Sequence, residues 1–210
     1  MAERKRLPPE QARIMALEAA RILLIETGPQ SVTLKAVAGR VGRTHANLLH
    51  HFGSAAGLQK ALARYLAEMV CDAITQTVVQ IRAEEGGGPR QVVDLTFDAF
   101  GKEGGGALAG WMLLSGNEDA LDPIVESIQT LVDELHPEET GQSRDRREMH
   151  RTTLALVFMA LGDALIGDQL AEPMGLHRDA AREAAEKMLV DSLLVTQSDC
   201  GASLTDTHVR

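Results

Sequence analysis

Apolar residues recur every three or four positions along most of the 210-residue chain, which is the spacing of one buried face of an α-helix. Nine segments show this pattern, and stretches rich in glycine, proline or acidic residues separate them. No segment alternates apolar and polar residues as a half-buried strand does. The sequence therefore predicts an all-α protein of about nine helices.

Residues 33–52 predict two short helices joined by a tight turn at Gly42, a residue that can reverse the chain without a Cβ penalty. Thr33 and Thr44 each stand where a hydroxyl can cap the helix that follows. Leu48 and Phe52, four residues apart, lie on one side of the second helix. The spacing fits a helix-turn-helix whose second helix enters the major groove of DNA. It fits an ordinary helical hairpin in a bundle as well.

Breaks in the helical pattern divide the chain into three parts. We expect residues 1–54 to form a helix-turn-helix DNA-binding domain. A long helix beginning near Ser54 would lead into a helical body, residues 55–196, that binds an effector and dimerises. Residues 197–210 are polar and are expected to form a flexible tail.

Charge is distributed unevenly along the chain. Residues 1–64 contain ten Lys and Arg against four Asp and Glu, a net charge of +6, and since the whole chain carries −9, the remainder carries −15. A basic N-terminal part on an acidic body suits a module that meets phosphates. Chance variation on solvated helix faces would give the same count.

The remaining composition narrows the class of protein. Cys71 and Cys200 lie far apart in sequence and form no metal or redox motif. No stretch comes near the roughly twenty apolar residues of a membrane span, and residues 1–7 are basic rather than the apolar core of a signal peptide. We therefore expect a soluble, cytoplasmic protein without a cofactor or a membrane partner.

An enzyme is the main alternative from another class. Residues 101–106 are rich in glycine, but no strand precedes them and no Gly-Lys-Ser/Thr follows, so a phosphate loop is not indicated. His136, His150 and His177 are isolated, and no Glu-x-x-His pair stands at helical metal spacing. The sequence favours a binding protein over an enzyme.

Segments between residues 10 and 62, among them Thr-Leu-Lys-Ala-Val-Ala at 33–38 and Leu-Leu-His-His-Phe-Gly-Ser at 48–54, stand in a characteristic order. In order and spacing they resemble the N-terminal domain of the tetracycline-repressor (TetR) family. The rest of the chain is similar to that family only in the number and lengths of its helices. The resemblance implies a homodimeric transcriptional regulator, usually a repressor that a small-molecule effector releases from its DNA operator.

Matching positions imply which residues meet DNA. The candidates are Thr33, Arg40, Arg43, Thr44, His45, Asn47, His50 and His51. By resemblance, Thr33 and Thr44 cap helices and touch phosphates. Arg43, His45 and Asn47 match positions that face the groove. Asn47 can pair with adenine through two hydrogen bonds, although a solvent-facing asparagine is the alternative. We expect Arg40 to bind DNA regardless of the DNA sequence, and His45 and His50 to donate to phosphate, more so when protonated.

The chain departs from the family pattern at two positions. Leu49 stands where the family usually has tyrosine, and Ala55 where it usually has lysine, and both of those residues typically reach phosphates. Weak DNA binding is therefore an expected consequence. A degenerate family member that only oligomerises or binds a protein partner is the alternative function.

The body offers candidates for an effector site. They are Phe97, Phe100, Trp111, Met112, Phe158, Met159 and Asp163. Ordinary core packing is the alternative for each of the apolar ones. Asp163 lies in an apolar half-helix, where a carboxylate needs a partner. It could bind a cationic or hydroxyl-bearing effector, or pair with a nearby arginine or histidine. Small residues in the last two helices, by family analogy, allow a four-helix dimer interface.

Overall fold

The computed structural model describes residues 8–83, 88–116, 119, 121–135 and 143–202, and in the last range it describes side chains from 147 to 192. Within these ranges the chain forms nine α-helices and no strand, which confirms the predicted all-α fold. The helices are α1 (Pro9–Thr27), α2 (Leu34–Val41), α3 (His45–Phe52), α4 (Ala55–Arg82), α5 (Pro89–Phe100), α6 (Gly105–Leu114), α7 (Asp122–Leu135), α8 (Ser143–Ala171) and α9 (Ala180–Ala202).

Most helix boundaries follow the local sequence signals. Pro9 stands in the first turn of α1, where a missing N–H costs nothing. The end of α9 differs from the prediction. The helix continues to Ala202, whereas it was expected to end near residue 196. The basic arm at residues 1–7, the turn at 84–87 and the end of the chain at 203–210 lie outside the described residues.

Local hydrogen bonds fix the turn between α2 and α3. The Thr33 hydroxyl accepts from the backbone N–H of Ala36, and the Thr44 hydroxyl accepts from that of Asn47, each at 3.2 Å. Gly42 lies between the two helices at φ +66°, in the left-handed region that glycine adopts without strain. Each cap therefore provides an acceptor for one of the N–H groups that the first turn of a helix leaves without an internal partner.

The chain forms two compact units. The first ends at Met69 and also includes Ala99–Ser127, so α6 packs in the same unit as the helix-turn-helix. Its fully buried core side chains include Val32, Val37, Leu48, Leu58, Leu62, Leu108 and Met112. Directly before α6, the backbone at Gly104 lies close to the side chain of Leu24. A Cβ at this position would lie only 2.9 Å from Cγ of Leu24, so a glycine is needed there.

The second unit comprises Val70–Asp98 and the chain from Ile128 onward. Helix α8 packs along α9, and the hydroxyls of Thr152 and Ser192 lie 3.0 Å apart between them. On the α5 side, Arg182 of α9 donates to Asp94 at 2.8 Å and to Asp98 at 2.6 Å. Its guanidinium lies over the ring of Phe97. Ion pairs and a cation–π contact thus join α5 to α9.

Helix α8 corrects one expectation from the sequence. By length and composition alone, its segment Arg147–Ala171 is apolar enough to cross a membrane, whereas no such stretch was expected. A single helix of this kind is weak evidence for a membrane span, because helices that pack against other helices have the same composition. Only 11% of its most apolar stretch is nevertheless buried in the single chain, and Leu154, Phe158 and Leu165 are exposed on it.

Candidate nucleic-acid interface

Helix α3 has a buried side and an exposed side. Leu48 and Phe52 pack into the core of the first unit and fix the rotation of the helix. Along the rest of the helix His45 and His50 are exposed, whereas Asn47 is half-buried. This is the arrangement that a recognition helix needs, since one side must hold the helix to the domain while the other meets base edges.

The hydroxyl groups of the two capping threonines can each still donate a hydrogen bond. Thr33 and Thr44 are exposed, and each hydroxyl oxygen is used as an acceptor by its own helix. A hydroxyl also carries one O–H donor, which is left for a phosphate oxygen. Arg43 is exposed directly before Thr44, so the turn presents a cation and one hydroxyl next to the start of α3.

Arg13 of α1 secures the other end of the recognition helix. Its Nη1 donates to the carbonyl oxygen of His51 at 3.2 Å, and its guanidinium lies 4.9 Å from the centroid of the Phe52 ring. His51 is half-buried, and its ring contacts those of Phe52 and His50. The centroids of the His50 and His51 rings lie 5.8 Å apart in an edge-to-face arrangement. The sequence assigned no role to Arg13, because its partners lie 38 residues away and leave no local pattern.

Arg40, a candidate phosphate contact, is already paired within the protein. Its Nη1 and Nη2 donate to the two carboxylate oxygens of Glu26, at 2.7 and 3.0 Å. The hydrogen bond from Arg40 holds the pKa of Glu26 below its usual range, and Glu26 raises the pKa of Arg40. Glu26 lies near the end of α1 and was not among the residues that the sequence singled out.

Both departures from the family pattern lie at the surface. Leu49 is 43% exposed on α3, and Ala55 is exposed in the first turn of α4. A tyrosine or a lysine at these positions would therefore change the surface of the domain rather than its core.

The predicted effector residues belong to both compact units. Phe97 is buried in the second unit beneath Arg182, and Met112 belongs to the core of the first unit. Trp111 is 41% exposed on α6, and Phe100 is half-buried at the end of α5. For Phe97 and Met112, packing within their own unit accounts for their burial.

The other three candidates share an open groove of about 360 Å³ between α8 and the start of α9. Phe158, Met159 and Asp163 line it together with Arg178. The Asp163 side chain is 7% exposed and is paired with Arg178, which also pairs with Asp168. The arginine partner that a buried carboxylate requires is therefore present.

The comparison with known proteins connects this interface to a family. Residues 16–62 match the family model of bacterial regulatory proteins, tetR family. These residues contain α2, α3 and most of α1. No curated protein sequence matches the chain significantly.

Solved structures of similar fold cover nearly the whole chain. A candidate transcriptional regulator from Saccharomonospora viridis, solved in complex with choline, is 16% identical over 86% of this chain and 96% of its own, with a TM-score of 0.55. A candidate TetR-family transcriptional regulator from a Rhodococcus species is 16% identical over 87% of this chain and 98% of its own, with a TM-score of 0.53. At this identity the likeness concerns the fold. Residues 16–62 thus match the helix-turn-helix domain of the tetR family of bacterial regulatory proteins, and the chain as a whole shares the all-helical fold of these two structures.

Proposed function

We propose that this protein is a homodimeric repressor that binds a DNA operator through α3 and leaves it when a small-molecule effector binds. The observation that carries the proposal is the exposed, capped recognition helix held to a basic N-terminal domain through Leu48 and Phe52. In this proposal residues 1–54 bind DNA, and residues 55–196 bind the effector and dimerise. The proposal involves no catalytic step.

Base recognition in this proposal centres on α3. The carboxamide of Asn47 can bond both N6 and N7 of adenine, and the guanidinium of Arg43 can bond O6 and N7 of guanine or a phosphate. His45 and His50 are exposed on the same short helix and would donate to phosphates. Sequence preference is therefore expected to depend on Asn47 more than on the histidines.

A dimer is proposed because α8 leaves an apolar surface uncovered. Leu154, Phe158 and Leu165 recur at spacings of four and seven residues and are 53%, 63% and 46% exposed. This is the repeat by which one helix packs into another. At Gly162, within this surface, an added Cβ would meet no atom within 4 Å, so a second helix has room to approach. A second copy of α8 and α9 on this surface would complete a four-helix bundle.

The groove beside Asp163 is continuous with the same surface, since Phe158 belongs to both. We propose that the second copy covers it. Asp163 already has Arg178 as a partner, so a cationic ligand in the groove would have to displace that arginine. Release by an effector rests instead on the family resemblance and on the choline bound to the S. viridis protein. A thermal-shift screen that starts with choline tests whether the protein binds a small-molecule effector.

The DNA-binding proposal is tested by selecting duplexes from a random pool with the wild-type protein and with Asn47→Ala. We expect the wild type to enrich a two-fold symmetric sequence, because a symmetric dimer places two recognition helices on related half-sites. Asn47→Ala should enrich a sequence with a relaxed preference at one position in each half-site. Enrichment of the same sequence by both proteins would contradict the assignment of Asn47.

A second candidate function follows from the exposed Leu49 and Ala55, which replace two phosphate contacts. In that function the protein oligomerises or binds a protein partner and holds DNA only weakly. Fluorescence anisotropy with duplex DNA from upstream of its own coding region, at 50 and 200 mM NaCl, separates the two functions. Failure of the wild type to bind DNA at the lower salt concentration would favour the second one.

A further inference from the structure

Glu26 and Arg40 form the closest two-point ion pair on the candidate DNA surface. The two donor–acceptor distances are 2.7 and 3.0 Å, and both nitrogen atoms face the same carboxylate. This is the parallel geometry in which arginine binds carboxylates and phosphates alike. In this geometry the face formed by the two terminal nitrogen atoms, which would otherwise bind a phosphate through two hydrogen bonds, is occupied by the carboxylate.

Arg40 otherwise stands where a phosphate contact would be expected. It lies in the last turn of α2, two residues before Gly42, and α2 is the helix of this motif that crosses the DNA backbone. Gly39 and Arg40 are exposed, and the exposed surface continues through Arg43 and Thr44 to the start of α3. Without Glu26, the Arg40 side chain would be a free cation beside the recognition helix.

We propose that Glu26 masks Arg40, acting as an internal competitor of the DNA phosphate and lowering both the affinity for DNA and its dependence on salt. This inference rests on the proposed DNA-binding function. A phosphate competes with the Glu26 carboxylate for the two-point face of the guanidinium, and the carboxylate also neutralises the charge that would attract a phosphate. Both side chains of the pair are partly exposed to solvent, so the ion pair is weak and the two side chains can separate. The masking is therefore reversible.

The salt dependence of binding measures the masking. Each phosphate that a protein cation neutralises contributes about 0.9 to the slope of log K against log salt concentration. A masked Arg40 contributes nothing to this slope, whereas an unmasked Arg40 contributes fully. Between 50 and 200 mM NaCl one such contact corresponds to a change in affinity of about 3.5-fold for each protomer bound.

The experiment compares wild type, Glu26→Gln, Arg40→Ala and the double variant on a 30-base-pair duplex of mixed sequence, by fluorescence anisotropy at several NaCl concentrations. We expect Glu26→Gln to bind more tightly and to steepen the slope by about 0.9 for each protomer. Arg40→Ala should leave the slope of the wild type unchanged but should remove the added slope from Glu26→Gln. Glu10→Gln, which removes an acid from the first turn of the same helix, is the matched control and should not change the slope.

Three results would overturn the proposal. Arg40→Ala could flatten the slope equally in both backgrounds, in which case Arg40 binds DNA despite Glu26. It could flatten the slope in neither, in which case Arg40 does not reach DNA. Glu10→Gln could steepen the slope as much as Glu26→Gln, in which case only net charge matters. If the wild type bound no DNA at 50 mM NaCl, the proposed function itself would fail, and the masking with it.

Discussion

Phe158 provides the sharpest test of the proposed dimer. It lies in the middle of α8 and is 63% exposed in the single chain, although phenylalanine is usually buried. If a second copy covers this surface, Phe158→Ala should weaken dimerisation strongly and leave the fold of each chain intact. The fold should survive because the mutated ring atoms contribute little to packing within the chain.

The expected magnitude follows from the exposed area. A phenylalanine side chain presents about 200 Å², so 63% exposure leaves about 130 Å² for the second copy to cover. At about 25 cal/mol per Å² this area is worth about 3 kcal/mol, of which alanine would lose about 2 kcal/mol. Two-fold symmetry doubles the loss to about 4 kcal/mol for each dimer. The dimer Kd should then rise about 1000-fold.

Sedimentation equilibrium over a range of protein concentrations measures this Kd. Leu114→Ala is the matched control, because Leu114 is 90% exposed at the end of α6 and lies outside the proposed interface. We expect the control to dimerise as the wild type does. A Kd for Phe158→Ala within threefold of the wild-type value would refute the interface, and an equal loss in both variants would show that the effect is not specific to α8.

Three further predictions concern the first unit. Thr44→Ala removes the cap of α3 and should lower the free energy of unfolding by about 1 kcal/mol in urea titrations, whereas Thr44→Ser should retain it; an equal loss in both would contradict the capping role. Ala55→Lys should steepen the salt dependence of DNA binding by about 0.9 for each protomer, measured by anisotropy against Ala55→Gln, and an unchanged slope would place this position away from phosphates. A hydrogen bond from Tyr65 holds the pKa of Glu18 below its usual value. The stability from this contact is therefore present above the usual pKa, about 4.3, and is lost as the pH falls through the lowered value. Between pH 6 and pH 3 the Tm of the wild type should fall more than that of Glu18→Gln, and parallel curves would refute this.

The sequence by itself determined the class of fold and the position of the recognition helix. The caps at Thr33 and Thr44 and the turn at Gly42 depend on hydrogen bonds and torsion angles within three or four residues. The periodic apolar residues likewise report one face of each helix. Such signals are local, so they can be found without knowing which helices meet, and the motifs between residues 10 and 62 were enough to indicate a resemblance to the TetR family.

Only the tertiary structure decided which side chains meet across helices. Arg13 reaches His51, Arg40 is held by Glu26, and Asp163 is paired with Arg178. The same holds for Met112, which an apolar pattern alone cannot assign to a cavity or to a core. A helix period tells which residues share a face, but the crossing of two helices decides which faces touch. For this reason the residues of α3 could be named from the sequence, whereas the pairing that controls Arg40 could not.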